Sequence, residues 1–239
     1  MALPNSIVIL TGAGISAESG LGTFRDKDGI WTKYPLEDLA TPEGFARNPD
    51  FVQGFYNDRR RQLKTAKAHA GHQALARLQT HCEAAGRDFL LVTQNVDNLH
   101  EQAGSTDVVH MHGELARIRC MDCHSVMEWH ENIGSDVPCP ACGKAGYLRP
   151  HVVWFGEMPL EMDRISRTLS ACDLFVSIGT SGAVYPAAGF VQEALYAGAR
   201  TVELNLEPSE NAHVFNEARY GPASEVVNAW VDELVGSQA

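Results

Sequence analysis

The stretch SIVILTGAGISAESG, residues 6 to 20, constrains the fold more than any other. A short apolar, β-branched run enters a turn in which Gly12, Gly14 and Ala17 form a G-x-G-x-x-A pattern. The glycines permit a tight turn and close approach of a pyrophosphate, and a helix start behind them favours its charge. A glycine turn holding no ligand is the alternative. Similar apolar runs recur as DFLLVT (88 to 93), DLFVSIGT (173 to 180) and RTVELNLE (200 to 207). Near-continuous apolar strands suit a parallel sheet covered on both faces. Helical patterns lie between them: HAGHQALARLQTHCEAAG, with Gly86 as C-cap; PAAGFVQEALYAGA, from Pro186 to Gly198; and an amphipathic PASEVVNAWVDELVG. The alternation predicts a doubly wound α/β fold.

Two stretches break that alternation. Residues 24 to 68 are too long for a simple connection and read as a mobile loop, GTFRDKDGIW, plus a helical insert. Residues 116 to 149 hold four of the six cysteines and few sheet-like runs, and read as an inserted metal module. The pairs Cys120/Cys123 and Cys139/Cys142 are separated by residues 124 to 138, a zinc-ribbon spacing. Four thiolates close a tetrahedral shell with no open position, so the zinc is expected to be structural; two redox dithiols are the alternative. His110, His112 and His124 are then not needed as ligands. Cys82 and Cys172 lie in apolar contexts and are expected to be buried.

Composition sets limits. The formal charge of −11 disfavours general binding to nucleic acid or anionic membrane, and no apolar run reaches the ~20 residues needed to cross a bilayer. MALPNSIVIL has no basic n-region and no small-residue cleavage site, so it reads as a first strand, and the chain is expected in the cytoplasm as a monomer.

The strand ends carry the chemistry. TQNVDNLHEQAG follows the strand at 88 to 93, so Gln94, Asn95 and Asp97 point to the crevice of the glycine turn, and GTS (179 to 181) ends another strand at that edge. Helix capping is the alternative for Asn95 and Asp97. No acidic residue stands where a nicotinamide dehydrogenase would hold its ribose ~20 residues on. That disfavours a dehydrogenase and leaves Asn205 as a candidate for the ribose.

GAGISAESGLGTFR, TQNVDNLH, HMHGEL, the two Cys-x-x-Cys pairs, PHVVWFGE, GTS and NLE occur in one order, from about Ile7 to about Val235. In that order they resemble the sirtuins, NAD-dependent protein-lysine deacylases. The resemblance implies a Rossmann-like NAD-binding domain (1–37, 69–115 and 150–239), a helical insert (38–68) and a zinc module (116–149). It implies that NAD is held by Gly12, Ala13, Gly14, Ser16, Ala17, Glu18, Thr23, Phe24, Arg25 and Trp31. Gln94, Asn95, Val96 and Asp97 join them, as do Gly179, Thr180, Ser181, Asn205, Leu206, Glu207 and Ala223.

By the same resemblance His112 and Asn95 are catalytic. The acyl oxygen of the lysine displaces nicotinamide, and His112, with an ordinary pKa of ~6.5, draws a proton from a ribose hydroxyl that then attacks. The implied products are free lysine, nicotinamide and O-acyl-ADP-ribose. Val153 would pair with the substrate backbone, and His110 reads as a packed or hydrogen-bonded strand residue.

FYNDRRRQL reads as helix, with Tyr56 and Arg59 neighbours on one face. A Tyr and an Arg at this point are similar to the class III sirtuins, in which the pair binds the carboxylate of a succinyl or malonyl group. Arg60 and Arg61 read as a solvated basic face. The expected substrates are therefore acetyl-, succinyl- and malonyl-lysines of proteins. ADP-ribosyl transfer to protein side chains and a non-catalytic NAD-sensing scaffold are the alternatives.

Overall fold

The computed structural model describes residues 3–22 and 35–236. Nine strands occur among them: β1 (Ser6–Thr11), β2 (Asp88–Thr93), β3 (Val109–His110), β4 (Gly113–Cys120), β5 (Val126–Glu128), β6 (Leu148–Val152), β7 (Leu174–Ile178), β8 (Arg200–Asn205) and β9 (Glu217–Tyr220). Six form a parallel sheet in the order β3-β2-β1-β7-β8-β9. The order reverses direction at β1, so the gap between β1 and β7 is the switch point where open α/β sheets bind ligands.

Every residue of β1 is buried, because its two faces meet two separate cores. Ile7 and Ile9 pack with Leu75 and Leu78 of the helix Ala70–Ala84 and with Val227 and Trp230 of the helix Ala223–Gly236. Val8 and Leu10 pack on the other face with Ile165 and Leu169 of the helix Met162–Leu169 and with Phe190 and Val191 of the helix Phe190–Tyr196. Alternate residues of a strand point to opposite faces, so an unbroken apolar run feeds both layers. Each such side chain contributes about 1.5–3 kcal/mol.

Local chemistry sets the helix ends. The helix Ala70–Ala84 starts on His69, whose Nδ1 accepts the Gly71 N–H at 3.0 Å, and Gly86 follows its end at a φ of +63°. The helix Pro49–Leu63 has proline at its first position and Asn48 as N-cap, accepting the Phe51 N–H at 3.2 Å. Between Pro186 and Gly198 the expected single helix is a 3-10 turn, Ala187–Gly189, followed by Phe190–Tyr196.

The stretch between 116 and 149, expected to be poor in strands, contributes to a three-stranded antiparallel sheet in the order β5-β4-β6. The pattern was present in GELARIRC, where Gly113, Leu115, Ile118 and Cys120 are buried among more exposed neighbours. A separate apolar cluster joins the Pro49–Leu63 helix, through Val52, Phe55 and Tyr56, to Leu99, Leu115, Val152 and Trp154. No helix among the described residues is long and apolar enough to cross a membrane.

Candidate active site at the carboxyl end of the sheet

The turns after β1 and β7 lie backbone to backbone. Gly12 N–H donates to the Ile178 carbonyl and Gly14 N–H to the Gly179 carbonyl, each at 2.9 Å. The short helix Ala13–Ser16 begins on Gly12 with no side-chain cap; its Gly14 and Ile15 N–H groups are taken by the Gly179 and Gly12 carbonyls, and only the Ala13 N–H of the first three has no partner among the described residues.

The turn after β2 closes on the same helix. Asn95 Nδ2 donates to the Gly12 carbonyl and to Ser16 Oγ, both at 3.0 Å, and Ser16 donates to Asp97 Oδ2 at 2.9 Å. Asp97 Oδ1 accepts the Leu99 N–H at 3.1 Å, the first of the helix Leu99–Gln102, whose N-cap position is Asn98. Burial pushes the Asp97 carboxyl up, opposed by the Leu99 and Ser16 hydrogen bonds. Val96 differs from its neighbours: its carbonyl accepts the Leu115 N–H at 2.9 Å and its side chain packs against the cluster under the helical insert.

His112 sits between β3 and β4, its Nδ1 at 3.1 Å from the Gln94 carbonyl. A carbonyl only accepts, so Nδ1 carries the proton and Nε2 is left basic. Burial holds the ring below the ordinary histidine range, partly offset by the Gln94 contact, so His112 is neutral at neutral pH. His110, two residues before it, is paired instead: Nε2 lies 2.7 Å from Glu101 Oε1. Burial pulls the His110 pKa down, and the Glu101 carboxylate outweighs it, for a net rise.

On the β8 side, Asn205 Nδ2 donates to the Thr180 carbonyl at 2.8 Å, and Ala183 N–H donates to Ser181 Oγ at 3.3 Å. Leu206 is 70% exposed, and Glu207 beside it is also exposed. Glu18 reaches the start of the last helix, accepting Ser224 N–H at 2.9 Å and Ser224 Oγ–H at 2.6 Å, next to Ala223. Ala13 and Ala17 lie within the same turn. Thr23, Phe24, Arg25 and Trp31 lie outside the described residues.

The helix Pro49–Leu63 carries Tyr56 and Arg59. Tyr56 is 5% exposed, and burial pushes its phenol up to about 12. Burial lowers the Arg59 pKa, while the charges of Asp97 and the Tyr56 phenol raise it, so the guanidinium is within electrostatic reach of the crevice. Arg60 corrects the expectation of a solvated basic face. It is 3% exposed, and its Nε donates to the Leu115 carbonyl at 2.9 Å. Arg61 is solvated and paired with Asp58. The Val153 N–H is taken by the His112 carbonyl at 2.8 Å.

Sequence reading missed Trp154. Its indole Nε1 donates to Tyr56 Oη at 2.8 Å, across a separation of 98 residues for which no local pattern exists.

The sulfurs of Cys120, Cys123, Cys139 and Cys142 all lie within 4.8 Å of one another, with Cys120–Cys142 at 3.9 Å and Cys123–Cys139 at 3.8 Å. Four sulfurs at ~2.3 Å from one tetrahedral ion stand about 3.8 Å apart, so the set fits zinc. The two pairs turn alike: His124 N–H bonds to the Cys120 carbonyl and Gly143 N–H to the Cys139 carbonyl, with φ of +60° and +76° at those residues. No histidine or carboxylate joins the group among the described residues. Cys82 and Cys172 are buried, and burial raises both thiols to about 11.

Comparison with known proteins agrees with this geometry. The model of the Sir2 family matches residues 12–186. An NAD-dependent protein deacylase of Caulobacter vibrioides is 59% identical over 229 residues, covering 96% of each chain. A solved Sir2 homolog–NAD complex superposes with a TM-score of 0.88 at 37% identity, covering 99% of this chain and 91% of the other. A Sir2 bound to acetylated peptide does so with a TM-score of 0.82 at 25% identity, covering 99% and 95%.

Proposed function

This chain belongs to the Sir2 family, and from that premise we propose that it is an NAD-dependent protein-lysine deacylase accepting acetyl groups and the acidic succinyl and malonyl groups. The observation that carries the catalytic reading is the Gln94–His112 contact of 3.1 Å, which fixes the tautomer and leaves Nε2 as the base.

The residues present fit NAD. The glycine turn, whose Ala13 N–H has no partner among the described residues, suits a pyrophosphate, and Thr180, Ser181 and Asn205 cluster on the β8 side. Bound NAD supplies an electrophilic ribose carbon on loss of nicotinamide. Asn95 and Asp97 shape the reacting end, each anchored to the glycine turn through Ser16. His112 Nε2 takes the proton of the ribose hydroxyl. Cys120, Cys123, Cys139 and Cys142 would hold zinc in a closed shell, so its contribution is to folding.

The acidic-acyl reading is supported by Tyr56 and Arg59. Arg59 makes no hydrogen bond or ion pair with a described residue, yet is largely withdrawn from solvent. A guanidinium in that state grips a carboxylate with two parallel hydrogen bonds, and a phenol adds a third donor. The reading places the enzyme in the cytoplasm as a monomer, and its four clustered unpaired cysteines suit a reducing compartment.

Matched acetyl-, succinyl- and malonyl-lysine peptides, with and without NAD, test the proposal by mass spectrometry. Free lysine with O-acyl-ADP-ribose, formed only with NAD, is expected from all three. A target made heavier by ADP-ribose, or turnover without NAD, overturns it.

A further inference from the structure

A tyrosine hydroxyl donates one hydrogen bond, and an indole N–H can only donate. The contact between Trp154 Nε1 and Tyr56 Oη is therefore fixed in direction: the indole gives and the phenol oxygen receives, at 2.8 Å. The phenol proton points elsewhere, and no acceptor among the described residues takes it. A buried donor without an acceptor is costly, so the site is built for an acceptor that arrives with the substrate. The far end of an acetyl group is a methyl, which accepts nothing; the far end of a succinyl or malonyl group is a carboxylate.

We propose that Trp154 is a specificity-positioning residue, which occupies the Tyr56 oxygen and so commits the phenol proton to the carboxylate of an acidic acyl-lysine. The inference rests on the acidic-acyl reading of Tyr56 and Arg59.

The indole is held rigidly enough for that task. Trp154 is 2% exposed, and its backbone N–H donates to Glu157 Oε2 at 2.8 Å. Both oxygens of Glu157 are also held by Arg149, at 2.8 and 2.9 Å. The Arg149 guanidinium carbon lies 3.4 Å from the centroid of the indole ring. A cation against a π-face draws density from the ring and strengthens its N–H as a donor. Each hydrogen bond in a chain polarises the next, so the sequence Arg149, Trp154, Tyr56 makes the phenol a stronger donor toward an incoming anion. Phe45 packs on the same indole with centroids 5.2 Å apart, so a phenylalanine at 154 retains an aromatic neighbour.

The experiment compares kcat and KM on matched succinyl- and acetyl-lysine peptides, with NAD, for the whole chain and for Trp154→Phe, Tyr56→Phe, the double variant and Arg59→Met. Trp154→Phe is expected to raise the succinyl KM about three- to tenfold, the worth of one hydrogen bond, and to lower the succinyl-to-acetyl ratio of kcat/KM by the same factor. Added to Tyr56→Phe it is expected to lower that ratio less than about twofold, because the phenol it positions is gone. Should Trp154→Phe not fold, β-(3-benzothienyl)alanine at 154 keeps the bicyclic shape and removes only the N–H. A ratio unchanged by either replacement, or an undiminished loss on top of Tyr56→Phe, overturns the role of Trp154. If Arg59→Met also leaves the ratio unchanged, the acidic-acyl reading itself has failed; if Arg59→Met collapses it while Trp154→Phe does not, only the Trp154 inference is lost.

Discussion

Gly14 and Gly179 stand so close that a β-carbon built on Gly14 would lie 2.7 Å from the α-carbon of Gly179, and one on Gly179 would lie 2.4 Å from the Ile15 nitrogen. Gly179 also has a φ of +63°. The glycines of the turn after β1 thus make room for the turn after β7. Gly179→Ala combines left-handed strain of ~1–2 kcal/mol with a backbone clash. We expect a loss of stability above ~2 kcal/mol, the strain adding to the ~1–3 kcal/mol of an overpacked contact. Urea denaturation checks this; an unchanged midpoint would show that the two turns can part freely.

His112→Ala is expected to lower kcat by about 10²–10⁴-fold, the usual worth of a positioned base, with NAD binding retained by calorimetry. The sign of the pH dependence follows from the His112 environment. Burial lowers its pKa, so the neutral base is fully present at pH 7 and the rate falls only as pH drops below the ordinary histidine value. An acid limb of kcat/KM lying above 6.5 would contradict the assignment.

Stability should decline on acidification for a related reason. His72 is fully buried, with a pKa lowered to about 3 by burial and by His69, and burial holds that of His100 well below 6.5. Below 6.5 the unfolded chain binds protons that the folded chain refuses, so stability is lost as pH falls. His112, and His151 with its pKa lowered to about 4 by burial and by Arg119, act with the same sign, whereas the stabilisation from His110, raised by Glu101, is fully present below 6.5 and is lost only as pH rises through its raised value. A net loss of at least about 2 kcal/mol per pH unit is expected between pH 6 and 5, since each of His72 and His100 contributes up to ~1.4 kcal/mol per unit there. Urea titrations at several pH values measure it, and a flat profile would mean that these rings accept protons in place.

Arg59→Met should lower kcat/KM for succinyl-lysine at least ten times more than for acetyl-lysine, since a charge-assisted bidentate pair is worth roughly 1.5–3 kcal/mol. Steady-state kinetics on paired peptides decides; equal losses would assign Arg59 to the fold.

The two-faced strands, the glycine turn and the cysteine pairs were legible because each is a local pattern with a physical period or spacing. Tyr56 and Arg59 were legible as neighbours on a helix. Trp154 was not, because its partner is 98 residues away and only the packed cluster under the insert brings them together. Arg60 misled for the same reason. It looks identical to Arg61 in sequence, and only the Leu115 carbonyl facing it separates a buried cation from a solvated one. Asn95 was placed at the crevice, but its two bonds to Gly12 and Ser16 depend on the β1–β2 register, which pairs Thr11 with Thr93.

Zinc loss should reach the acyl pocket as well as the metal module. Three side chains on one face of the Pro49–Leu63 helix grip backbone of the small sheet and its loops. Gln53 Nε2 donates to the Leu148 carbonyl, and Arg60 Nε to the Leu115 carbonyl, both at 2.9 Å. Asn57 both accepts the Ile133 N–H and donates to the Ile133 carbonyl, again at 2.9 Å. Ile133 itself packs against Cys120 and Cys139. Loosening the sulfurs frees Ile133, strips Asn57 of both its bonds to Ile133, leaving it the one from Arg60, and loosens the helix that carries Tyr56 and Arg59. Asn57→Ala, which leaves two buried backbone groups unpaired, is expected to cost roughly 2–6 kcal/mol, at ~1–3 kcal/mol for each group. Cys142→Ser or a strong chelator is expected to lower the melting temperature and, before global unfolding, to depress succinyl-lysine turnover more than acetyl-lysine turnover. Parallel melting and kinetic measurements test the link. Full retention of the succinyl preference after metal removal would show that the helix holds its place without the zinc module.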